Sequence, residues 1–548
     1  MTNIEPSNPR HPKFGAPYKT WRGKDAFDAI VIGSGMGGLT TAALLAKFAF
    51  QRVLVLERHY TAGGYTHVFK RPGFEWDVGV HYIGDVHHPK APLRRLFDVL
   101  SEGSLEWVAT DDVYDRIIIG EQSFDFLAGQ QRFRDRLVEY FPKEASAIDR
   151  YLALVNECAK SSKNYFASKA LPGFVDVFAG SLMRRPFLNY ASRTTLEVLR
   201  SLTSDPLLIG VLTGQWGDYG LPPAQSSFGI HAIVVRHYLS GAAYPKGGAA
   251  AIAASIAPTI EQAGGEILVN AEVREIVVER GSAVGVCMAD GRILNAKTIV
   301  SGAGYFNTFD KMLSREVNDR LQTRARRQAV EPSMSHMNLY VGLNGTDREL
   351  QLPTTNLWVY PTPDHDANIA RFLRDPDQPL PVAYLSFPSA KDPTFAARYP
   401  GRSTIQVISL APYEWFASWE NQRWRNRGKD YESLKAKFTA RLRDALKQQL
   451  PHVDSHIAHC ELSTPVSTRH FMNYSHGEPY GLAHTPRRFR QAWLRPRTPI
   501  RNPFLTGQDV ATAGVEQALR RRPCASAILK KNMLSTIFQP PNFTTKSR

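Results

Sequence analysis

The sequence predicts an α/β protein: a Rossmann-like dinucleotide-binding domain interleaved with a mixed α+β domain. Three observations carry that expectation. A glycine turn at "GSGMGG", residues 33–38, joins a buried strand to a helix rich in Ala and Leu. Short strands of the same buried kind return far downstream, at "TIVSGAG" (298–304) and at "FLTGQDVATAG" (504–514). Between them the chain is less regular and richer in aromatic residues, as a separate domain inserted between parts of the first would be.

Each element follows in order. Residues 1–24 are polar and Pro-rich and read as an arm. From Phe27, "FDAIVIG" is a short apolar, β-branched run, as a fully buried parallel strand requires. "MGGLTTAALLAKFAF" is the helix and "RVLVLER" the second strand. Strand, turn, helix and strand within about thirty residues make a βαβ unit. Residues 25–91 thus form the first part of the nucleotide domain, and 92–240 the first part of the second domain. There "RFRDRLVEYFP" has helical spacing. "ALPGFVDVFAGSLMRRPFLNY" reads either as an ordinary pair of core helices or as an apolar lip facing a channel or membrane. Residues 241–306 return to the nucleotide domain. They begin with a helix capped at Gly264 and Gly265 and continue as strands with turns at "RGS" and "ADG". Residues 307–450 revisit the mixed domain and end in the amphipathic helix "YESLKAKFTARLRDALKQQLP" before Pro451. Residues 451–548 complete the nucleotide domain and add a tail.

Composition narrows the function classes. Lys plus Arg number 67 against 51 Asp plus Glu, a net charge of +16. That balance favours acidic surfaces. No zinc-finger spacing or RNA-binding aromatic signature accompanies it, so no nucleic-acid partner is expected, and a membrane surface is the better fit. Cys158, Cys287, Cys460 and Cys524 are far apart and form no CxxC pair, so neither a metal site nor a redox pair is expected. The N-terminus lacks the apolar centre of a signal peptide, and no apolar run is long enough to span a bilayer. A cytoplasmic protein with peripheral membrane contact is expected.

The chemistry begins at the first loop. Gly33, Ser34, Gly35 and Gly38 belong to a G-x-G-x-x-G turn that follows a strand and opens a helix. The first glycine permits the sharp turn, the second lets backbone approach a pyrophosphate, and the third lets helix and strand pack closely. Glu57, followed by Arg58, stands 24 positions after Gly33 at the end of the next strand. A carboxylate there accepts both hydroxyls of an adenosine ribose and repels the extra phosphate of NADP. Gly63 and Gly64 make a second close-approach turn, which suits a longer dinucleotide. Asp77, Gly79, His81, Tyr82 and Gly84 place polar and small residues in an apolar strand, a pattern that suits a binding-site wall.

Taken together, "GSGMGGLTTAALLAK", "VLVLERHYTAGGYTHVF" and "FLTGQDVATAG" resemble the phytoene desaturase-like FAD oxidoreductases. "DVGVHYIG", "STPVSTRHF" and "GEPYGLAH" look most like the retinol saturase and carotenoid isomerase branches of that family. The resemblance implies a Rossmann-like FAD-binding domain and a substrate-binding domain arranged as in amine oxidases. It implies FAD, with Gly33, Gly35 and Gly38 at the pyrophosphate and Glu57 at the ribose. The backbone of Val273 would meet adenine, and Gly507 and Asp509 would approach the ribityl end. Ser34, Arg58, Gly63 and Gly64 are counted with them as cofactor contacts. After Gly514 the family continues with small residues, whereas this chain has Arg520, Arg521 and Arg522. Arginines cannot replace glycines in a tight turn. An exterior position against phosphate or lipid is therefore expected, with FAD affinity the property at stake.

The implied reaction is saturation of one C=C bond of an apolar polyene or isoprenoid, by hydride from reduced flavin and a proton from the protein. Isomerisation or desaturation of a carotenoid is the alternative within the family. An escort protein for prenyl groups or lipids is the non-enzymatic one. The proton-donor candidates are Tyr480, Glu478, His81 and Tyr82, each with a structural hydrogen bond as the competing role. Trp358, Tyr360, Trp415, Trp419 and Trp424 are candidates to line an apolar tunnel. No second nucleotide domain is visible, so reduction calls for NAD(P)H or another donor from outside.

Overall fold

The structure, a computed structural model, describes residues 14–23, 26–321 and 323–512. Its first sheet has eight strands: β1 (Ala16–Pro17), β2 (Ala26–Ile32), β3 (Val53–Leu56), β4 (Glu266–Val269), β5 (Val273–Glu279), β6 (Ser282–Met288), β7 (Ile293–Ser301) and β8 (Pro503–Leu505). The order is β1-β4-β3-β2-β7-β6-β5, and β8 pairs with β7. β1, β4, β3, β2, β7 and β8 are joined in parallel, whereas β5, β6 and β7 form an antiparallel meander. Strands from three distant stretches of sequence thus share one sheet.

The first helix, α1 (Met36–Ala49), is buried from Met36 to Ala46. That matches its lack of charged residues over those turns, since a helix without a charged face is covered on all sides. Gly38 makes the close packing possible: a Cβ there would meet the Gly33 carbonyl oxygen at 2.1 Å. A later helix of this domain (Ala250–Glu261) ends as expected. Gly264, at φ 76°, donates its N–H to the Glu261 carbonyl, and Gly265 donates to that of Ile260, so two end carbonyls are satisfied.

The arm is more firmly attached than its composition suggests. Trp21 is buried and donates its indole N–H to Glu266 Oε2 at 2.6 Å, and Ala16–Pro17 extends the sheet edge. One aromatic anchor outweighs the polar composition around it.

A second sheet has seven strands, in the order 457–463, 336–344, 402–410, 383–386, 356–360, 113–119 and 122–127. The helix Gly428–Gln449 buries Tyr431, Phe438, Leu442 and Leu446 and stops before Pro451. Helices at 145–168, 181–191 and 228–238 contribute to the same core. The stretch 173–191 departs from a plain helix pair. A single turn and a π-helical turn (Asp176–Gly180) run into a helix with Pro186 inside it. Among the described residues no helix is long and apolar enough to cross a membrane. Gly514, Arg520, Arg521, Arg522 and Cys524 lie outside the described residues.

Candidate active site

A cavity enclosing about 2100 Å3 of empty space, mouth included, runs from the C-terminal ends of β2 and β3 to the second sheet. Gly33, Gly35, Gly38, Glu57, Arg58, Gly64, Val273 and Gly507 line its first half. Backbone contacts explain why so many glycines meet here. A Cβ on Gly37 would lie 2.6 Å from the Gly507 Cα, and one on Gly64 would lie 2.7 Å from the Gly35 Cα. Three loops distant in sequence therefore touch through bare backbone.

Two glycines differ from those. A Cβ on Gly35 or on Gly507 would have nothing within 4 Å. Gly35 is also the N-cap of α1, so the unpaired N–H groups and positive end of that helix open on the same empty space. The arrangement fits a pyrophosphate: a cradle of close backbone, a helix N-terminus and room for the anion.

Glu57 closes the cradle at one side. Its Oε2 accepts from Ser34 N–H at 2.9 Å and from Ser34 Oγ at 2.7 Å, and its Oε1 accepts from His59 N–H at 2.8 Å. A carboxylate has about four acceptor positions, so one is left for a guest. Ser34 Oγ in turn accepts from Gly63 N–H at 3.0 Å. Ser34 and Gly63 hold the loops from behind and do not line the cavity. Arg58 lies at the wall and donates to the His470 and Phe471 carbonyls at 3.1 and 3.2 Å. Asp509 also stands behind. Its Oδ1 accepts from Leu482 N–H at 2.9 Å and its Oδ2 from Tyr305 N–H at 2.6 Å, so it pins two loops while Gly507 meets the cavity.

The second half of the cavity is aromatic and apolar, with Trp216, Trp358, Val382, Tyr384, Ile408 and Leu410 in its wall. His81 and Tyr480 line it as well. Burial drives the His81 imidazole down to about 3, so it is neutral at physiological pH. The Tyr480 ring lies against Gly220, where a Cβ would meet its Cδ2 at 2.6 Å. Glu478 and Tyr82 sit one layer back. Glu478 is buried, and burial pushes its carboxyl up to about 7. Tyr82 Oη lies 2.9 Å from Asp115 Oδ2 and 2.9 Å from Asp218 Oδ2.

Of the five aromatic residues expected at a tunnel, only Trp358 lines the cavity. Tyr360 donates its hydroxyl to the Gly214 carbonyl, Trp415 stacks on Phe438, Trp419 meets Tyr431 edge-on, and Trp424 stacks on His470. Asp218, Trp216 and Tyr384 are wall residues that sequence reasoning missed. The only local signal for Asp218 is an acid between glycines in "QWGDYG".

Loops from both ends of the chain converge on one cavity, and a second sheet closes its far end; this defines a two-domain dinucleotide-binding protein with a buried guest chamber. The chain belongs to the flavin containing amine oxidoreductase family, whose model matches residues 36–521. It is 37% identical over 530 residues to an all-trans-retinol 13,14-reductase of Danio rerio, covering 92% of this chain and 86% of that protein. It is 29% identical over 472 residues to a chloroplastic prolycopene isomerase of Arabidopsis thaliana, covering 82% and 73%. Among solved structures, a cyclohexylamine oxidase from Brevibacterium oxydans matches at a TM-score of 0.57 and 17% identity, over 94% of this chain and all of that one. At that identity the likeness concerns the fold alone. The fold expected from the sequence is the fold found, and the chain is an FAD-dependent oxidoreductase.

Proposed function

We propose that this chain saturates a C=C bond of an apolar polyene of retinoid or carotenoid type. The observation that carries the reading is the continuity of the cavity, from a backbone cradle that fits a pyrophosphate to an aromatic chamber. A long conjugated hydrocarbon needs both the apolar wall and access to a redox group. FAD, when bound, supplies hydride chemistry.

The protein's part is placement. Gly33, Gly35, Gly38 and Gly64 receive the pyrophosphate, Glu57 takes one ribose hydroxyl with its spare acceptor position, and Val273 offers backbone to adenine. Gly507 receives the ribityl side, and Asp509 fixes the loop that carries it. Trp358 and Tyr384 exclude water from the guest, and neutral His81 adds no charge to an apolar wall. Two-electron reductant comes from outside, NAD(P)H being the donor class that fits. The identity to a retinol reductase supports saturation; the isomerase relative supports a second reading, cis–trans isomerisation in the same cavity.

An apolar guest must also leave a lipid phase. Phe178 is 84% exposed and Leu182 is 72% exposed, in a chain of net charge +16. We assign this pair to a peripheral membrane contact, with apolar side chains entering the interface and cations meeting anionic headgroups.

The test is anaerobic incubation of the reduced, flavin-loaded protein with all-trans-retinol and with a cis-carotenoid, followed by mass spectrometry. A product heavier by two hydrogens supports saturation. Unchanged mass with a shifted retention time moves the assignment to isomerisation. A flavin-loaded chain that leaves both compounds untouched contradicts the proposal.

A further inference from the structure

We propose that Asp218 is the group that hands a proton to the guest in this cavity, backed by a hydrogen-bonded relay through Tyr82 to Asp115. The inference rests on the reduction reading above and names the acid that reading requires.

Hydrogen-bond accounting comes first. Tyr82 Oη lies 2.9 Å from a carboxyl oxygen of Asp115 and 2.9 Å from one of Asp218. A phenol has one hydrogen and donates to one acceptor. The second contact is therefore a hydrogen bond only if one of the two carboxyl groups carries a proton and donates to the phenol oxygen.

The surroundings decide which one. Asp115 also accepts from Gln215 Nε2 at 2.7 Å and from Asn356 Nδ2 at 3.0 Å. Behind it the buried Lys391 ammonium donates to Asn356 Oδ1, to Ser386 Oγ at 2.9 Å and to the His81 carbonyl at 3.1 Å. Burial raises Asp115 to about 6 and lowers Lys391 to about 7, and the several donors on Asp115 keep it the more acidic of the two carboxyls. The Asp218 carboxyl has no hydrogen-bond partner besides Tyr82 among the described residues. The proton therefore belongs on Asp218, which donates to Tyr82, which donates to Asp115. Burial, with the Asp115 charge beside it, independently holds Asp218 well above the carboxylate range.

The position suits delivery. Asp218 closes the short turn Trp216–Asp218, lines the cavity and is only partly buried. Two further wall groups, Trp216 Nε1 and His81 Nδ1, have no partner among the described residues, as expected of polar atoms that face a guest. Tyr480, also a wall residue, packs on Gly220, two positions after Asp218.

The step balances as follows. With reduced flavin bound, one carbon of the double bond would receive its hydride; the Asp218 O–H turns from Tyr82 to the guest, and the π pair takes its proton to form the second C–H bond. Asp218 becomes a carboxylate, and the Tyr82 hydrogen swings from Asp115 to it, so the new charge keeps a donor. A proton from water restores the acid after product leaves. Tyr82 and Asp115 are positioning residues in this scheme.

The experiment uses the full chain with two readouts. The infrared spectrum of the flavin-free protein at neutral pH is compared among wild type, Asp218→Asn and Tyr82→Phe. A protonated-carboxyl band that disappears in Asp218→Asn and shifts in Tyr82→Phe is expected; a difference spectrum without such a band overturns the assignment. With flavin loaded, Asp218→Asn is expected to slow polyene reduction roughly a hundred- to ten-thousand-fold at unchanged flavin content, the usual weight of a general acid. Wild-type rate in that variant overturns it. A wild-type chain that reduces no polyene refutes the functional reading instead, and the infrared band still decides whether Asp218 stores the proton.

Discussion

Glu478 is a buried carboxyl with one satisfied oxygen. Its Oε2 accepts from His476 N–H at 2.7 Å, while Oε1 has no partner among the described residues. Burial, with the charge of Asp509 adding to it, raises the group to about 7, against an ordinary 4.5. The folded chain therefore holds this proton through a range where the unfolded chain has released it. Its contribution to stability is complete below about 4.5 and is lost as pH rises through about 7. Glu478→Gln should flatten the fall in thermal midpoint between about pH 5 and pH 8. A wild-type slope in the variant would show that Glu478 is already ionised. Residues of this scale differ in how legible they are. Glu57 was legible as a wall residue because strand, turn and helix fix its distance from Gly33. Asp218 was not, because its partners Tyr82, Asp115 and Asn356 are brought together only by folding. Asp509 was placed on the right loop but one layer too near the cavity, since sequence marks a turn without saying which atoms face inward.

At the scale of elements, the stretch 173–191 is an irregular helical segment that carries two exposed apolar side chains, Phe178 and Leu182. Phe178 and Leu182 are four residues apart, a spacing that puts helical side chains on one face. Asp176 is paired with Arg184 and with Arg495 at 3.0 Å, which ties the segment to the rest of the chain. Burying one such side chain in an apolar phase is worth about 1.5–3 kcal/mol. The double variant Phe178→Glu, Leu182→Glu should therefore weaken co-sedimentation with anionic liposomes at least about tenfold. Its thermal stability should stay near wild type, because neither side chain is buried. Unchanged liposome binding would remove this segment from the membrane proposal. The sequence favoured an ordinary pair of core helices over an apolar lip; the exposure of Phe178 and Leu182 is what supports the lip. The helix at Gly428–Gln449 was legible because its apolar spacing and the following proline agree. The sheet it packs on was not, because its strands come from six separated stretches whose pairing is non-local.

The whole molecule is organised by one return of the chain. β8 adds to β7 and so brings Gly507 against Gly37, 470 positions earlier. The late glycine–aspartate turn was recognisable as a turn, and its partnership with the first loop was readable only through family resemblance. Strand pairing supplies the physical reason: a parallel strand needs a neighbour already in place, and β7 provides it.

The central claim is that these converging loops form one cradle for FAD, and Gly35 tests it most directly. Its φ of −59° is open to any residue, and a Cβ there meets nothing within 4 Å. Gly35→Val should therefore leave the flavin-free chain folded, with wild-type thermal unfolding, while the new methyl groups occupy the space of the pyrophosphate. Bound flavin per chain, read by visible absorption after desalting, should fall from near one to near zero. A folded Gly35→Val chain with full flavin occupancy would contradict the account.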